Sequence, residues 1–305
     1  MLIKLSIVIG CGYFIYTKLI ENEQLNFSNF YENLIKNDVF SLKNVTFLLI
    51  FTIFNWFFEI LKWQSLVNFI QKISFSEATK QSFASLTTSL ITPNRIGEYG
   101  AKALFFEKLL RKQILGLNFI GNFYQLLATL FFGVIGFTYF VFKQQIQLDF
   151  NLILVVFFIL LFLFVIIYFI LRKFKIGALY LNKIKKFINT IPLKLNFKIG
   201  FLSFLRFLIF SHQFYFLLLI FKIDISYIDA ISAITSIYLI ASIVPMLSLF
   251  DVVLKGSVAI WVFSYFKIEP FTILSITTLM WILNFVFPAI IGSYFVLTFK
   301  PKFAK

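Results

Sequence analysis

Long apolar runs separated by short polar intervals organise this chain. They fall near residues 2–20, 45–66, 116–142, 152–171, 199–221, 229–248, 252–266 and 271–299. A helix needs about 20 mainly apolar residues to cross hydrocarbon, and lipid offers no partner to an unpaired backbone group. The pattern therefore predicts an all-α integral membrane protein with about eight membrane helices, forming one polytopic domain over residues 1–305. Two stretches fit a simple crossing poorly. The run at 252–266 is short, and 76–112 is only moderately apolar and interrupted at Thr92-Pro93. Both are predicted to enter the bilayer without spanning it, as one or two re-entrant or broken helix pairs.

The interruption reads Thr92-Pro93-Asn94-Arg95-Ile96-Gly97-Glu98-Tyr99-Gly100-Ala101-Lys102. Pro93 supplies no N–H and disfavours helix in the residue before it, so one helix ends there and a second starts near Arg95. Glu98 and Lys102 then share a face at i, i+4, and Gly97 and Gly100 are expected to permit close packing. A break at membrane depth is tolerated only beside protein or water, so it predicts a cavity wall. The same order recurs from Val244 to Gly256, where Pro245 is followed by Asp251 and Lys255. Pro245 lies 152 positions after Pro93 (245 minus 93). One reading makes the two breaks an inverted repeat approaching from opposite membrane faces. The other makes them two unrelated helix-proline-helix elements, and the sequence leaves both open.

Composition agrees with a bilayer environment: 60% of residues are hydrophobic, 13% are charged, and mean hydropathy is +0.92. The net charge of +15 gains meaning only from its location. With the N-terminus placed in the cytoplasm, the basic residues concentrate on one side. They are Lys4, the interval Lys72 to Lys112, the interval Arg172 to Lys198, and Lys300, Lys302 and Lys305. Glu21, Glu23, Glu32 and Asp38 fall on the other side. The positive-inside rule then predicts an inner or plasma membrane protein with both termini cytoplasmic. Segment 172–198, basic and without acids, is predicted to lie on the inner leaflet as a topological loop or a lipid contact. A nucleic-acid partner is not expected. The N-terminal run lacks a small-residue cleavage site and is read as a retained helix. Cys11 is the one cysteine and His212 the one histidine, which leaves no material for an intramolecular disulfide or a Cys/His metal cluster. No metal and no cofactor are expected.

Ionisable residues inside apolar runs are costly, so each calls for a partner or an aqueous cavity. Glu59 and Lys62 lie three residues apart and are read as a structural charge pair. Arg206 and Gln213 lie on one stripe beside His212, and must face the interior. A guanidinium suits a carboxylate or a phosphate, so Arg206 is either a headgroup contact or half of an internal salt bridge. The last run carries Trp281, Asn284, Pro288 and Gly292, which predicts a break or kink at Pro288 and a buried partner for Asn284.

Several of these positions together resemble the lysylphosphatidylglycerol synthase transmembrane region family, the membrane half of the multiple peptide resistance factor, also found as stand-alone proteins. They are Lys62-Trp63, Pro93-x-Arg95-x-Gly97-Glu98, Arg206 with Gln213, the Pro245 to Gly256 segment, and Trp281 to Gly292. The chain departs from the family where Leu249 to Gly256 replaces a Gly-Leu-Gly-x-x-Glu segment. The resemblance implies moving or binding a lipid with a polar head, either an aminoacylated phospholipid or a polyprenyl-linked carrier. The expected substrate-binding set is Arg95, Glu98, Lys102, Arg206, Gln213, Asp251, Lys255 and Asn284, with helix breaks at Pro93, Pro245 and Pro288. No soluble synthase domain is expected after Lys305, so aminoacyl transfer is not implied.

Three function classes remain. The leading one is a lipid flippase or transporter. The second is a membrane-embedded transferase acting on a lipid head, with Glu98 or Asp251 as general base; no nucleophile, base and orienting group can be named for it, and the leading expectation is that the protein is not an enzyme. The third is a non-transporting scaffold for a membrane-associated glycosyltransferase or synthase. Membrane lipids are the expected partners, and homo-oligomerisation is compatible with all three.

Overall fold

The computed structural model describes residues 2–20, 27–90, 92, 96–147, 186–187, 189–243 and 251–300. The predicted run at 152–171, most of the basic segment 172–198, and Pro93, Arg95 and Pro245 lie outside these. Among the described residues all regular structure is helical. The helices are α1 (Leu2–Ile20), α2 (Phe27–Lys36), α3 (Leu42–Val67), α4 (Phe75–Leu90), α5 (Ile96–Leu104) and α6 (Arg111–Lys143). They continue with α7 (Leu193–Ile220), α8 (Tyr227–Ile243), α9 (Asp251–Ser264) and α10 (Pro270–Trp281). A π-helical turn (Ile282–Val286) then leads into α11 (Phe287–Thr298). Among the described residues four elements are long and apolar enough to cross a membrane: α3, α6, α7 and the continuous run Pro270–Thr298. Helix α8 and most of α9 are apolar but shorter.

The described residues form two apolar cores at opposite ends of the long helices. One gathers Leu48 near the start of α3, Phe140 at the end of α6, Phe214 to Phe221 at the end of α7, Ala230 to Ile237 of α8, and Phe263 of α9. The other gathers Trp63 and Val67 at the end of α3, Ala78, Ile114 and Leu117 at the start of α6, Ile199 of α7, and Ala289. The α4–α5 pair starts and ends at this second core, through Ala78 and Phe106. The α8–α9 pair starts and ends at the first, through Ala230 and Phe263.

Both pairs begin with the same local device. Ser74 Oγ accepts from the Glu77 N–H (3.2 Å) while Glu77 Oε2 accepts from the Ser74 N–H (2.8 Å), a reciprocal capping box that satisfies free donors at the start of α4. Ser226 Oγ accepts from the Asp229 N–H (3.2 Å) and donates to Asp229 Oδ2 (2.7 Å). Ser226 lies 152 positions after Ser74 (226 minus 74), the spacing that also separates Pro93 from Pro245. A buried alanine follows each acid, Ala78 and Ala230.

Close backbone approach fixes α4 against its neighbours. A Cβ at Gly292 would overlap the Phe83 carbonyl and Thr87 Oγ1, so α11 lies directly on α4, and Thr87 Oγ1 donates to the Ala289 carbonyl (2.9 Å). Gly97 likewise sits where a Cβ would overlap the Thr88 carbonyl, as its spacing predicts. Gly100 does not: nothing lies within 4 Å of a Cβ built there, because its face of α5 points away from the packed helices.

The expected break at Pro288 is absent. Helix continues from Pro270 to Thr298, with one extra residue absorbed in the π-turn. Pro288 has no N–H for the carbonyl of Asn284, four residues back, and Trp56 Nε1 donates to that carbonyl instead (3.2 Å). The chain ends meet on one side. Lys4 Nζ donates to the Leu297 carbonyl (3.2 Å) and to that of Phe299.

Candidate functional site

Two polar stripes create the site. On α3, Thr52, Asn55, Glu59 and Lys62 recur every three or four residues and so share one face. On α6, Asn118, Asn122, Gln125 and Thr129 do the same. Helix α7 brings Arg206 between them. Its Nη1 meets Glu59 Oε2 at 2.8 Å, and Lys62 Nζ meets the same oxygen at 2.7 Å. Arg206 Nε also donates to Asn55 Oδ1 (3.1 Å), and Nη1 reaches Gln125 Oε1 (3.4 Å). One carboxylate thus serves two cations, and this triad carries a net charge of +1. The Arg206 side chain remains 22% exposed, whereas Lys62 is 2% exposed.

A neutral chain of amides continues from the triad toward the first core. Asn55 Nδ2 donates to Asn284 Oδ1 (2.7 Å), Asn284 Nδ2 to Gln213 Oε1 (2.9 Å), and Gln213 Nε2 to Thr52 Oγ1 (2.9 Å). Toward the second core lies a separate ion pair. Lys102 Nζ meets Glu98 Oε1 (2.9 Å), donates to Asn118 Oδ1 (2.7 Å), and stands 4.3 Å from the Trp63 ring centre. Trp63 is held in turn by its Nε1 donating to Gln81 Oε1 (2.7 Å). Buried charges are tolerated only when paired and hydrogen-bonded in this way.

Arg206 borders two cavities. The larger, about 250 Å³, is bordered by α3, α4, α6, α7, α8, α9 and the π-turn, with Arg206, Lys255, Asn55, Gln125 and Asn284 on its wall. Aromatic residues, including Trp56, Phe207 and Phe285, supply much of the remainder. The smaller, about 20 Å³, touches Glu59, Ser82, Glu98, Lys102 and Arg206. Both helix pairs contribute: α4 to both cavities through Leu86, α5 to the smaller, and α8 and α9 to the larger.

The expected residues are thus sorted. Arg206, Lys255 and Asn284 line one chamber, and Glu98 and Lys102 line its small neighbour. Gln213 is corrected as a wall residue: it is fully buried and reaches the chamber only by holding Asn284. Arg206 makes an internal salt bridge with Glu59 and, with its side chain partly exposed, also borders the chamber, and the Glu59–Lys62 pair is part of a triad. Arg95 and the side chain of Asp251 lie outside the described residues. His212 stands apart from the chamber, with its ring nitrogens on the Leu208 carbonyl and Tyr227 hydroxyl. Among the described residues no group of His, Cys, Asp and Glu could hold a metal ion. Asn55, Gln125 and Trp56 were missed as site residues, although the three-and-four spacing of polar positions on α3 and α6 is readable.

Long apolar helices around a buried, paired polar interior define a multi-pass integral membrane protein. Its family is equally specific: the lysylphosphatidylglycerol synthase TM region matches residues 1–292, and the chain belongs to that family. No curated protein and no solved structure gives a significant match.

Proposed function

We propose that this protein is a lipid transporter of the flippase type, and not an enzyme, that holds a polar lipid head in the Arg206–Lys255 chamber while the acyl tails stay among the outer apolar side chains. The observation that carries this reading is the chamber itself. It places two cations and several amides in the middle of helices otherwise clothed in Phe, Leu and Ile. A head crossing hydrocarbon needs such a place, and no bond has to be made or broken there. Membership of the family in lipid-linked membrane chemistry agrees with this choice.

Two further features suit alternating access. The α4–α5 and α8–α9 pairs enter from opposite ends, share the serine-acid cap, and keep a spacing of 152 positions at both cap and proline. We read them as the re-entrant halves of an inverted repeat within about eight membrane helices. We read both termini as cytoplasmic in an inner or plasma membrane, a reading supported by the contact of Lys4 with the end of α11 and by the basic intervals. Membrane lipids are the partners of this reading, which needs no synthase or glycosyltransferase partner.

Reconstitution tests it. Fluorescent phospholipids should change leaflet in vesicles that contain the protein. Arg206→Gln, folded by size exclusion in detergent, should slow that movement about tenfold or more, the loss expected for a charge-assisted contact. Unchanged movement in Arg206→Gln, or none with the native protein, would remove the proposal.

A further inference from the structure

We infer that the smaller cavity beside Arg206 is a bound-water site, and that its water joins the Glu59–Lys62–Arg206 triad to the Glu98–Lys102 pair. Packing and wall chemistry carry this, independently of transport. Ser82 on α4 points to it first. Its Oγ is buried, borders the cavity, and has no hydrogen-bond partner among the protein's own groups. A buried hydroxyl left unsatisfied is costly, and native interiors supply such groups with ordered water. Ser85, three residues on, donates its Oγ proton to the Ser82 carbonyl (2.9 Å), which leaves the lone pairs of a second hydroxyl at the same wall.

The rest of the wall identifies the ligand. Glu59 and Glu98 bring carboxylates to the cavity, and Arg206 and Lys102 bring cations. A monatomic ion of either sign meets like charge there, whereas water donates to a carboxylate or a serine lone pair and accepts from a guanidinium or a hydroxyl. The cavity's volume of about 20 Å³ exceeds the roughly 10–15 Å³ that one water requires, and the wall supplies the polar partners that hold it. Five helices meet at this point: α3 through Glu59, α4 through Ser82, α5 through Glu98, α6 through Asn122 and α7 through Arg206. A hydrogen bond through water is nearly as good as a direct one. The bound water therefore ties the α4–α5 pair to Arg206, the cation that also borders the larger chamber.

The first test is direct. A cryo-EM map of the full chain with a bound antibody fragment, sharp enough to show ordered water, should contain a peak about 2.7–3.0 Å from Ser82 Oγ and within hydrogen-bond reach of a charged group of the wall. An empty cavity overturns the assignment. So does a peak at about 2.0–2.5 Å from its oxygens, the distance of a bound cation, or one that strengthens when bromide replaces chloride, as a bound anion would. The second test reads the sign of a stability change. Ser82→Ala takes a partner from the bound water and should lower the unfolding midpoint in detergent by about 2 °C or more. In a dry cavity the same substitution removes an unsatisfied hydroxyl and gains helix propensity, so the midpoint would rise. Ser211→Ala is the matched control. Ser211 Oγ on α7 is also buried and unpartnered but borders neither cavity, and its midpoint should hold or rise. A rise in Ser82→Ala equal to that in Ser211→Ala overturns the water site and leaves the transport reading untouched.

Discussion

The two ends of the interior are built from the same helices but differently. Around Trp63 the core encloses the ion pair Glu98–Lys102 and adjoins the Glu59–Lys62–Arg206 triad. Around Phe214 and Phe263 the described buried polar groups are neutral: Ser232, Ser236 and Ser275 return their hydroxyl protons to, or pack against, the local backbone, and Gln213 closes the amide chain. One end is therefore held by charge, the other by fit. In lipid the distinction matters, because apolar surface gains little from leaving hydrocarbon and helix association rests on packing and polar contacts. In the proposed transport, the charged end would exchange partners, with Arg206 passing between Glu59 and a bound anion, whereas the apolar end would open only by parting packed rings.

The sharpest way to break this contrast is Glu59→Gln. It removes the carboxylate shared by Lys62 and Arg206 and leaves a buried cation beside a partly exposed one. Loss of one partner from a buried pair costs about 3–5 kcal/mol, so the unfolding midpoint in detergent should fall steeply. Glu59→Gln combined with Lys62→Met should recover much of the loss, because Arg206 then keeps Asn55 and Gln125 without a neighbouring charge. A single variant as stable as the native protein would mean that the triad does not hold the charged end together.

Phe263→Ala probes the other end. Phe263 is fully buried and stacks on Phe214 with ring centres 5.9 Å apart. Truncation should cost about 3 kcal/mol, the lower bound of the range for buried aromatics, since little transfer energy is at stake in lipid. Tryptophan-detected unfolding should show a smaller loss than for Glu59→Gln, with the proposed lipid movement unchanged because Phe263 does not line the chamber. A larger loss than Glu59→Gln would reverse the assignment of charge and fit to the two ends.

Much of this was legible in the apolar runs, whose limits agree with α3, α6, α7 and Pro270–Thr298 to within a few residues. The Glu59–Lys62 and Glu98–Lys102 pairs were legible because local helical spacing alone makes them. Arg206 on Glu59 was not, because the contact joins α3 to α7 and no short-range pattern encodes which carboxylate a guanidinium will find. Pro288 misled for a related reason. The missing N–H was foreseen, but Trp56, more than two hundred positions away, satisfies the orphaned Asn284 carbonyl and lets the helix continue. Gly100 misled because helical glycines signal close packing only when their face meets a neighbour, and α5 presents only one such face.

That last distinction yields the smallest and most discriminating effect, confined to the charged end. Gly100→Ala places a methyl group in open space on an exposed helical position. It should stabilise by about 0.5–1 kcal/mol, because alanine loses less conformational freedom than glycine on entering a helix. Gly97→Ala, three residues earlier, drives a methyl group into the Thr88 carbonyl, a backbone atom that moves only if α4 and α5 separate. Overpacking of this kind costs about 1–3 kcal/mol. The two substitutions are chemically identical and share one helix turn, so propensity cancels between them and the difference in unfolding midpoint reports the α4–α5 contact alone. Opposite signs would establish that α5 packs on α4 through its Gly97 face. Equal shifts would mean that α5 is turned about its axis, and the placement of Glu98 and Lys102 beside Trp63 would then have to be withdrawn with it.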